Sequence, residues 1–226
     1  MMNPAPAVQL TGVSKSYALP DAEPIQVLSG VDFTIESGEK ASLIGPSGTG
    51  KSTLLALIAG LLEPDSGIVE IDGTPLTSRS EHERAGVRAR TIGIALQSDN
   101  LIPFLSAREN VELALGFGGE VARRRAPAAA RELLEQFGVG HRADHLPRHL
   151  SGGEAQRVAL AVATANHPAV LLADEVVGQL DAETAEHVID TVLAVDVAVL
   201  YVTHDAALAD RVSTRYEITD HQVRLR

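Results

Sequence analysis

The chain has 226 residues, 45% of them hydrophobic and 22% charged, a balance that fits a folded globular protein and excludes a disordered or fibrous one. Its formal net charge of −11 argues against a nucleic-acid surface, because affinity for a phosphate backbone comes from clustered Lys and Arg. Cysteine is absent, which removes disulfides, thiolate metal sites and a thiol nucleophile. The opening MMNPAPAVQL has no basic stretch followed by an apolar one, so no signal peptide is expected and the chain is expected inside the cell. The longest apolar candidate for a membrane span, Val158 to Ala173, is short of the roughly 20 residues required and is broken by Asn166, His167 and Pro168. It reads as a helix, a turn and a buried strand.

In chain order, Val8 to Ile35 alternates apolar and polar residues and predicts antiparallel strands. Lys40 to Gly45 predicts a short buried strand, and Lys51 to Leu62 a helix. Gly67 to Gly73 and Ile92 to Leu96 read as strands. Ser106 and Glu109 have capping-box spacing and open one helix, and Ala128 to Phe137 forms another. A helix from Ser151, a strand over Ala169 to Ala173, a helix from Asp181 and a strand over Val197 to Thr203 follow, and the C-terminal YEITDHQVRLR suggests a hairpin. Apolar runs without alternation suit parallel strands buried on both faces, and helices between them imply right-handed crossovers. The expected architecture is α/β: a phosphate-loop core with a mainly parallel sheet and an N-terminal antiparallel β subdomain. One domain is expected over 1–226, with a mainly helical insertion at about 98–148.

Two segments carry chemistry. GPSGTGKST, comprising Gly45, Pro46, Ser47, Gly48, Thr49, Gly50, Lys51, Ser52 and Thr53, matches the phosphate-loop pattern between a predicted strand and a predicted helix. Glycines there let successive N–H groups aim at phosphate oxygens, and the helix N-terminus adds partial positive charge. Lys51 is one of only three lysines and is placed to reach β- and γ-phosphates, with the Ser52 hydroxyl a Mg²⁺ ligand. AVLLADE ends a strand in two acids at the sheet edge where such folds bind ligands. Asp174 is the expected Mg²⁺ partner and Glu175 the general base for water.

LSGGEAQR, Leu150 to Arg157, resembles the signature of the ABC ATPase family. Ser151 and Glu154 also form a capping box before a helical run, and the two readings are compatible: a capped helix start with Gly152 and Gly153 exposes N–H groups to an anion. The resemblance extends from about Val8 to Arg226. It implies that Tyr17 in SKSY stacks on adenine and that Gln97 contacts Mg²⁺ and water. It further implies that Asp181 in GQLD lies in a loop crossing a dimer and that His204 in VTHD contacts the γ-phosphate. LLADEVVGQLD is similar to the LLADEPTGNLD segment of lipoprotein-releasing, macrolide-exporting and cell-division ABC ATPases, from which it departs at Val176, Val177 and Gln179. AVAT, Ala161 to Thr164, replaces the usual Ala-Arg-Ala-Leu.

The resemblance implies an ATPase subunit using ATP and Mg²⁺, with two copies or two homologous subunits sandwiching ATP head to tail. Such a subunit sits at the inner face of the cell membrane and moves a separate transmembrane permease, whose short cytoplasmic helix would meet Gln97 to Leu105. Two alternatives are carried: a regulatory ATPase signalling through a membrane protein, and a soluble family member acting on ribosomes or DNA. The single nucleotide-binding unit, the absence of a long coiled coil between Gln97 and Ser151, and the acidity weigh against the second. His141, His145 and His149 recur every four residues but are read as solvated loop residues, because Pro147 interrupts any helix and no carboxylate pair completes a metal face. Arg123 to Arg125 reads as an exposed helical face.

Overall fold

The computed structural model describes residues 5–20, 22–98, 100–118 and 120–226. The N-terminal strands β1 (Val8–Leu19) and β2 (Ala22–Ile35) pair antiparallel, with Val8 opposite Ile35 and Tyr17 opposite Ile25. After β3 (Lys40–Ile44) and helix α1 (Lys51–Ile58), strand β4 (Ser66–Ile71) returns to pair with β1, and the short β5 (Thr74–Pro75) completes a four-stranded antiparallel sheet. Helix α2 (Glu81–Thr91) leads into β6 (Ile92–Ala95), followed by α3 (Ala107–Gly116) and α4 (Glu120–Gln136). Then come α5 (Gly152–Thr164), β7 (Val170–Asp174), α6 (Ala182–Ala194), β8 (Ala198–Val202), α7 (Ala206–Ala209) and the hairpin β9 (Thr214–Thr219) with β10 (Gln222–Leu225).

The second sheet has the order β10-β9-β3-β8-β7-β6. Its neighbours pair in parallel from β9 to β6, and only β10 runs antiparallel. The reason lies in the strand sequences. In β7, Val170 and Leu172 join the core beneath the antiparallel sheet and α1, while Leu171 and Ala173 join the core formed with α3 to α6. Strand β8 divides likewise, Ala198, Leu200 and Val202 to one side and Val199 and Tyr201 to the other. Burial on both faces excludes polar alternation, which is why these segments read as unbroken apolar runs.

Some element boundaries differ from the sequence expectation. Helix α1 stops at Ile58 rather than running to Leu62, because Gly60 takes a left-handed φ of +63° and the Gly60 and Leu61 N–H groups fold back to the Leu57 and Ala56 carbonyls. This is a Schellman ending, in which glycine bears the left-handed position without a Cβ clash. Helix α4 begins at Glu120, well before Ala128, and carries Pro127 inside it. Proline in a helix interior costs about 3 kcal/mol, and the buried stripe Ala126, Ala130 and Leu134 offsets that cost by packing. The Arg123 to Arg125 side chains lie outside the described residues. Helix α2 was not anticipated: Val87 is its only buried residue, so it shows no apolar stripe, although Ser80 and Glu83 close a capping box.

Candidate functional site

Because β6, β7, β8 and β3 run parallel and adjacent, their C-terminal ends share one edge of the sheet. Each end delivers one part of the site. Strand β3 leads into Gly45 to Thr53, β7 ends at Asp174 and Glu175, β6 leads to Gln97, and β8 leads to His204. Open parallel sheets bind ligands at that edge. A cavity of about 440 Å³ opens there, lined by Val27, Ser47, Gly48, Gly50, Lys51, Ser52, Thr53, Gln97, Asp174 and Glu175.

The loop between β3 and α1 has the backbone of an anion cradle. Gly50 caps α1 with a φ of +104°, and a Cβ there would lie 2.7 Å from Val27 Cγ1. Gly48 has a φ of +80° and faces open space. Any other residue at either position would be strained, and at Gly50 it would also clash. Lys51 Nζ donates to the carbonyls of Gly45 at 2.6 Å and Pro46 at 2.8 Å, and Thr49 Oγ1 donates to Pro46 O at 2.9 Å. These bonds brace the loop and hold the ammonium at the mouth of the cavity.

Opposite stand the two acids. Asp174 is partly buried, and its carboxyl is pushed above its usual range, first by desolvation and then by the charge of Glu175, with Lys51 opposing. Glu175 has a φ of +47°, a left-handed conformation that a non-glycine residue adopts only under local constraint. Its N–H donates to Val202 O at 3.0 Å, tying the turn to β8. Its Oε1 lies 3.3 Å from His204 Nδ1. The left-handed turn aims this carboxylate into the cavity rather than along the strand.

Tyr17 lies on β1 with 43% of its surface exposed and its hydroxyl 3.4 Å from Thr53 Oγ1, which sets an open aromatic ring beside the cradle. The neighbouring backbone is fixed by Asp65, which accepts from Ser16 N, Ser16 Oγ and Lys15 Nζ, each at 2.7 Å. Bonds from Lys15 and Ser16 hold the Asp65 carboxyl down at about 2.

Ser151, Gly153 and Asp181 do not line this cavity. Ser151 is the exposed N-cap of α5, closing a capping box with Glu154. Asp181 caps α6, accepting from Thr184 N at 3.0 Å and Thr184 Oγ1 at 2.7 Å. The two helix starts pack tightly, since a Cβ on Gly153 would fall 2.4 Å from Thr184 Cγ2. Gly152 lines a neighbouring cavity of about 350 Å³ that also takes in Gln97, Gln156 and Gln179.

Several contributors escaped the sequence reading. Val27, on β2, covers the loop but looks like any strand valine. Gln156 is buried and donates from Nε2 to Leu96 O at 3.0 Å, the carbonyl that also accepts from Asn100 Nδ2 at 2.6 Å, so the residue before Gln97 is fixed from two sides. The departures Val176 and Val177 are buried in the core against α3 to α6, where apolar side chains fit, and Gln179 is exposed. His141 and His149 fall on two 3₁₀ turns, 140–142 and 147–149, and His145 lies between them. No helix joins the three.

The sequence matches the ABC transporter family over residues 28–178. It is 43% identical over 213 residues to the lipoprotein-releasing system ATP-binding protein LolD 1 of Rhodopirellula baltica, covering 92% of each chain. It is 44% identical over 208 residues to the uncharacterized ABC transporter ATP-binding protein YbbA of Escherichia coli, covering 90% of each. The fold superposes with a TM-score of 0.86 and 37% identity, over 97% of both chains, on the ATP-binding cassette MJ0796, solved as a dimer in a post-hydrolysis state bound to ADP and Pi. With a phosphate loop, a strand-end acid pair and a capped Ser-Gly-Gly helix start in one α/β fold, this chain belongs to the ABC transporter family, as an ATP-hydrolysing nucleotide-binding subunit.

Proposed function

We propose that this subunit hydrolyses ATP with Mg²⁺ at the 440 Å³ cavity and converts the event into movement of a separate transmembrane permease. The observation that carries the reading is the convergence of Lys51, Ser52, Gln97, Asp174 and Glu175 on one cavity at the ends of adjacent parallel strands. Gly45 to Thr53 wrap the phosphates with backbone N–H groups, and Lys51 reaches the β- and γ-phosphates. Tyr17 stacks on adenine. Glu175 takes the proton of the attacking water, and His204 steadies that carboxylate and the γ-phosphate.

The donor set suits Mg²⁺, a hard cation that takes oxygen ligands. Ser52 and Asp174, with Gln97, would hold it, and two adjacent carboxylates with a single lysine leave the site in need of a cation. When bound, Mg²⁺ would neutralise charge developing on the phosphates. Ser151, Gly152, Gly153 and Asp181 serve a different site, the one held by a second copy or a homologous subunit packed head to tail. The exposure of Ser151, Gly152 and Asp181 outside the Lys51 cavity supports this, as does the dimeric state of MJ0796.

Among the described residues no helix is long and apolar enough to cross a membrane, so the permease is a separate chain in this reading, met from the cytoplasmic side. Phe104, 78% exposed in the segment Gln97 to Leu105, supports docking there; Asp99 of that segment lies outside the described residues. Affinity purification from membranes tests this. Recovery of a permease with the parent chain, and its loss with Phe104→Ala, is the expected result. A chain recovered without any membrane protein would overturn the transport role.

A further inference from the structure

The helix start that carries Ser151 is built around an acid. Glu154 Oε2 accepts from Ser151 N at 2.8 Å, and its Oε1 accepts from Arg142 Nε at 2.8 Å. Only 12% of the Glu154 side chain is exposed, against 36% for Arg142. The Ser151 backbone bond, followed by the Arg142 bond, holds the Glu154 carboxyl at about 2, so it is ionised at every physiological pH. That charge benefits α5 itself, whose N-terminus is partially positive. It opposes the use proposed above for the same helix end, which is to face the γ-phosphate of a second copy. Left alone, the carboxylate would cancel part of the positive end and repel the phosphate.

We propose that Arg142 is a positioning residue for ATP-driven assembly: its guanidinium neutralises Glu154 and keeps the Ser151 to Gly153 end of α5 receptive to a triphosphate held by a second copy. The inference rests on the shared-site reading of Ser151. Arg142 closes the 3₁₀ turn after α4 and is twelve residues from Glu154 in sequence, so the α3–α4 region brings a cation onto the Glu154 carboxylate in addition to the one α5 carries itself, Arg157, whose Nη1 would lie 3.8 Å from a Cβ on Gly153. His141 Nε2 is also 3.5 Å from the same Oε1, with 61% of its side chain exposed, whereas Arg142 Nε bonds that oxygen at 2.8 Å. A guanidinium suits the task because it stays charged at all relevant pH values.

The test separates charge from scaffolding. In the full chain, half-saturating ATP is measured for turnover, and, in a Glu175→Gln background, for dimerisation by light scattering. Arg142→Met raises both on the order of tenfold, the scale of one uncompensated charge near a phosphate. Adding Glu154→Gln restores both to parent values, because the neutral amide still accepts from Ser151 N without repelling phosphate. If Arg142 were only a strut tying the turn to α5, the double variant would stay as impaired as Arg142→Met, which overturns the proposal. Arg142→Lys, which keeps the charge on a different headgroup, stays close to the parent; a Lys variant as weak as Met also overturns it. Ser151→Arg is the control on the underlying reading. A Ser151→Arg chain that still dimerises refutes the shared site and this inference with it, whereas a blocked Ser151→Arg beside an unaffected Arg142→Met refutes the role of Arg142 alone.

Discussion

Lys51 and Tyr17 divide the recognition of ATP between charge and stacking, and each makes a separate prediction. Lys51 is the cavity's only lysine, so Lys51→Ala removes a charge-assisted phosphate contact; steady-state phosphate release is expected to fall by about a hundredfold or more. Unchanged turnover would refute its assignment. Tyr17 contributes a ring, and its hydroxyl makes one exposed, long contact with Thr53 at 3.4 Å. Tyr17→Ala is therefore expected to weaken ATP binding by about tenfold or more, on the scale of base–aromatic stacking. Tyr17→Phe should bind like the parent, because stacking requires the ring and not the hydroxyl. Equal affinity for Tyr17→Ala and the parent, measured by calorimetry, would remove the stacking role.

Capping links the elements to the site. Ser106 and Ser151 cap α3 and α5 with the same capping box, but Ser106 is buried, while Ser151 is exposed. Either change to Ala is expected to cost about 1 kcal/mol of stability in urea unfolding. Only Ser151→Ala should also raise the ATP concentration needed for dimerisation, and a matching effect from Ser106→Ala would mean that the caps act through stability alone. Acid titration of Asp65, which ties the β1 backbone at Ser16 to the turn before β4, adds a pH dependence. Its folded pKa is depressed to about 2, below an unfolded value of about 3.9. Its stabilising contribution is therefore present in full above that unfolded value and is lost as pH falls towards 2. Asp65 is partly exposed, so solvent screening keeps the effect modest. Asp65→Asn should flatten the decline in stability between pH 4 and 2, and an unchanged slope would assign the decline to other carboxylates.

For the whole molecule, the central question is how one chain's cavity meets another chain's α5. Glu175→Gln keeps the side-chain shape at the left-handed turn but removes the base, so turnover should drop by at least about a hundredfold with ATP affinity retained. ATP should then accumulate in a closed dimer, visible by light scattering after size-exclusion chromatography with Mg²⁺. Adding Ser151→Arg should block closure by bulk at the exposed helix start. A Glu175→Gln chain that stays monomeric at saturating ATP would assign closure to the assembled complex with the permease, and a double variant that dimerises normally would exclude the shared geometry.

The sequence by itself determined the strand–loop–helix at Gly45 to Thr53, the acid pair ending β7, the capping boxes of α3 and α5 and the apolar runs of the parallel strands. Each is a local pattern, in which neighbours in sequence do the physical work of turning, capping or burying a strand. It left α2 invisible, because a helix with one buried residue has no periodicity to read, and it placed the ends of α1 and α4 wrongly, because a Schellman turn and a packed Pro127 depend on backbone and tertiary contacts. Only the tertiary structure decided that Val27 covers the loop, that Gln156 and Asn100 grip Leu96 beside Gln97, that Glu175 turns through a positive φ towards His204, and that Arg142 sits on Glu154. These contacts join residues brought together by strand order and helix packing, and most are far apart in sequence. No pattern along the chain encodes such proximity until the sheet has assembled.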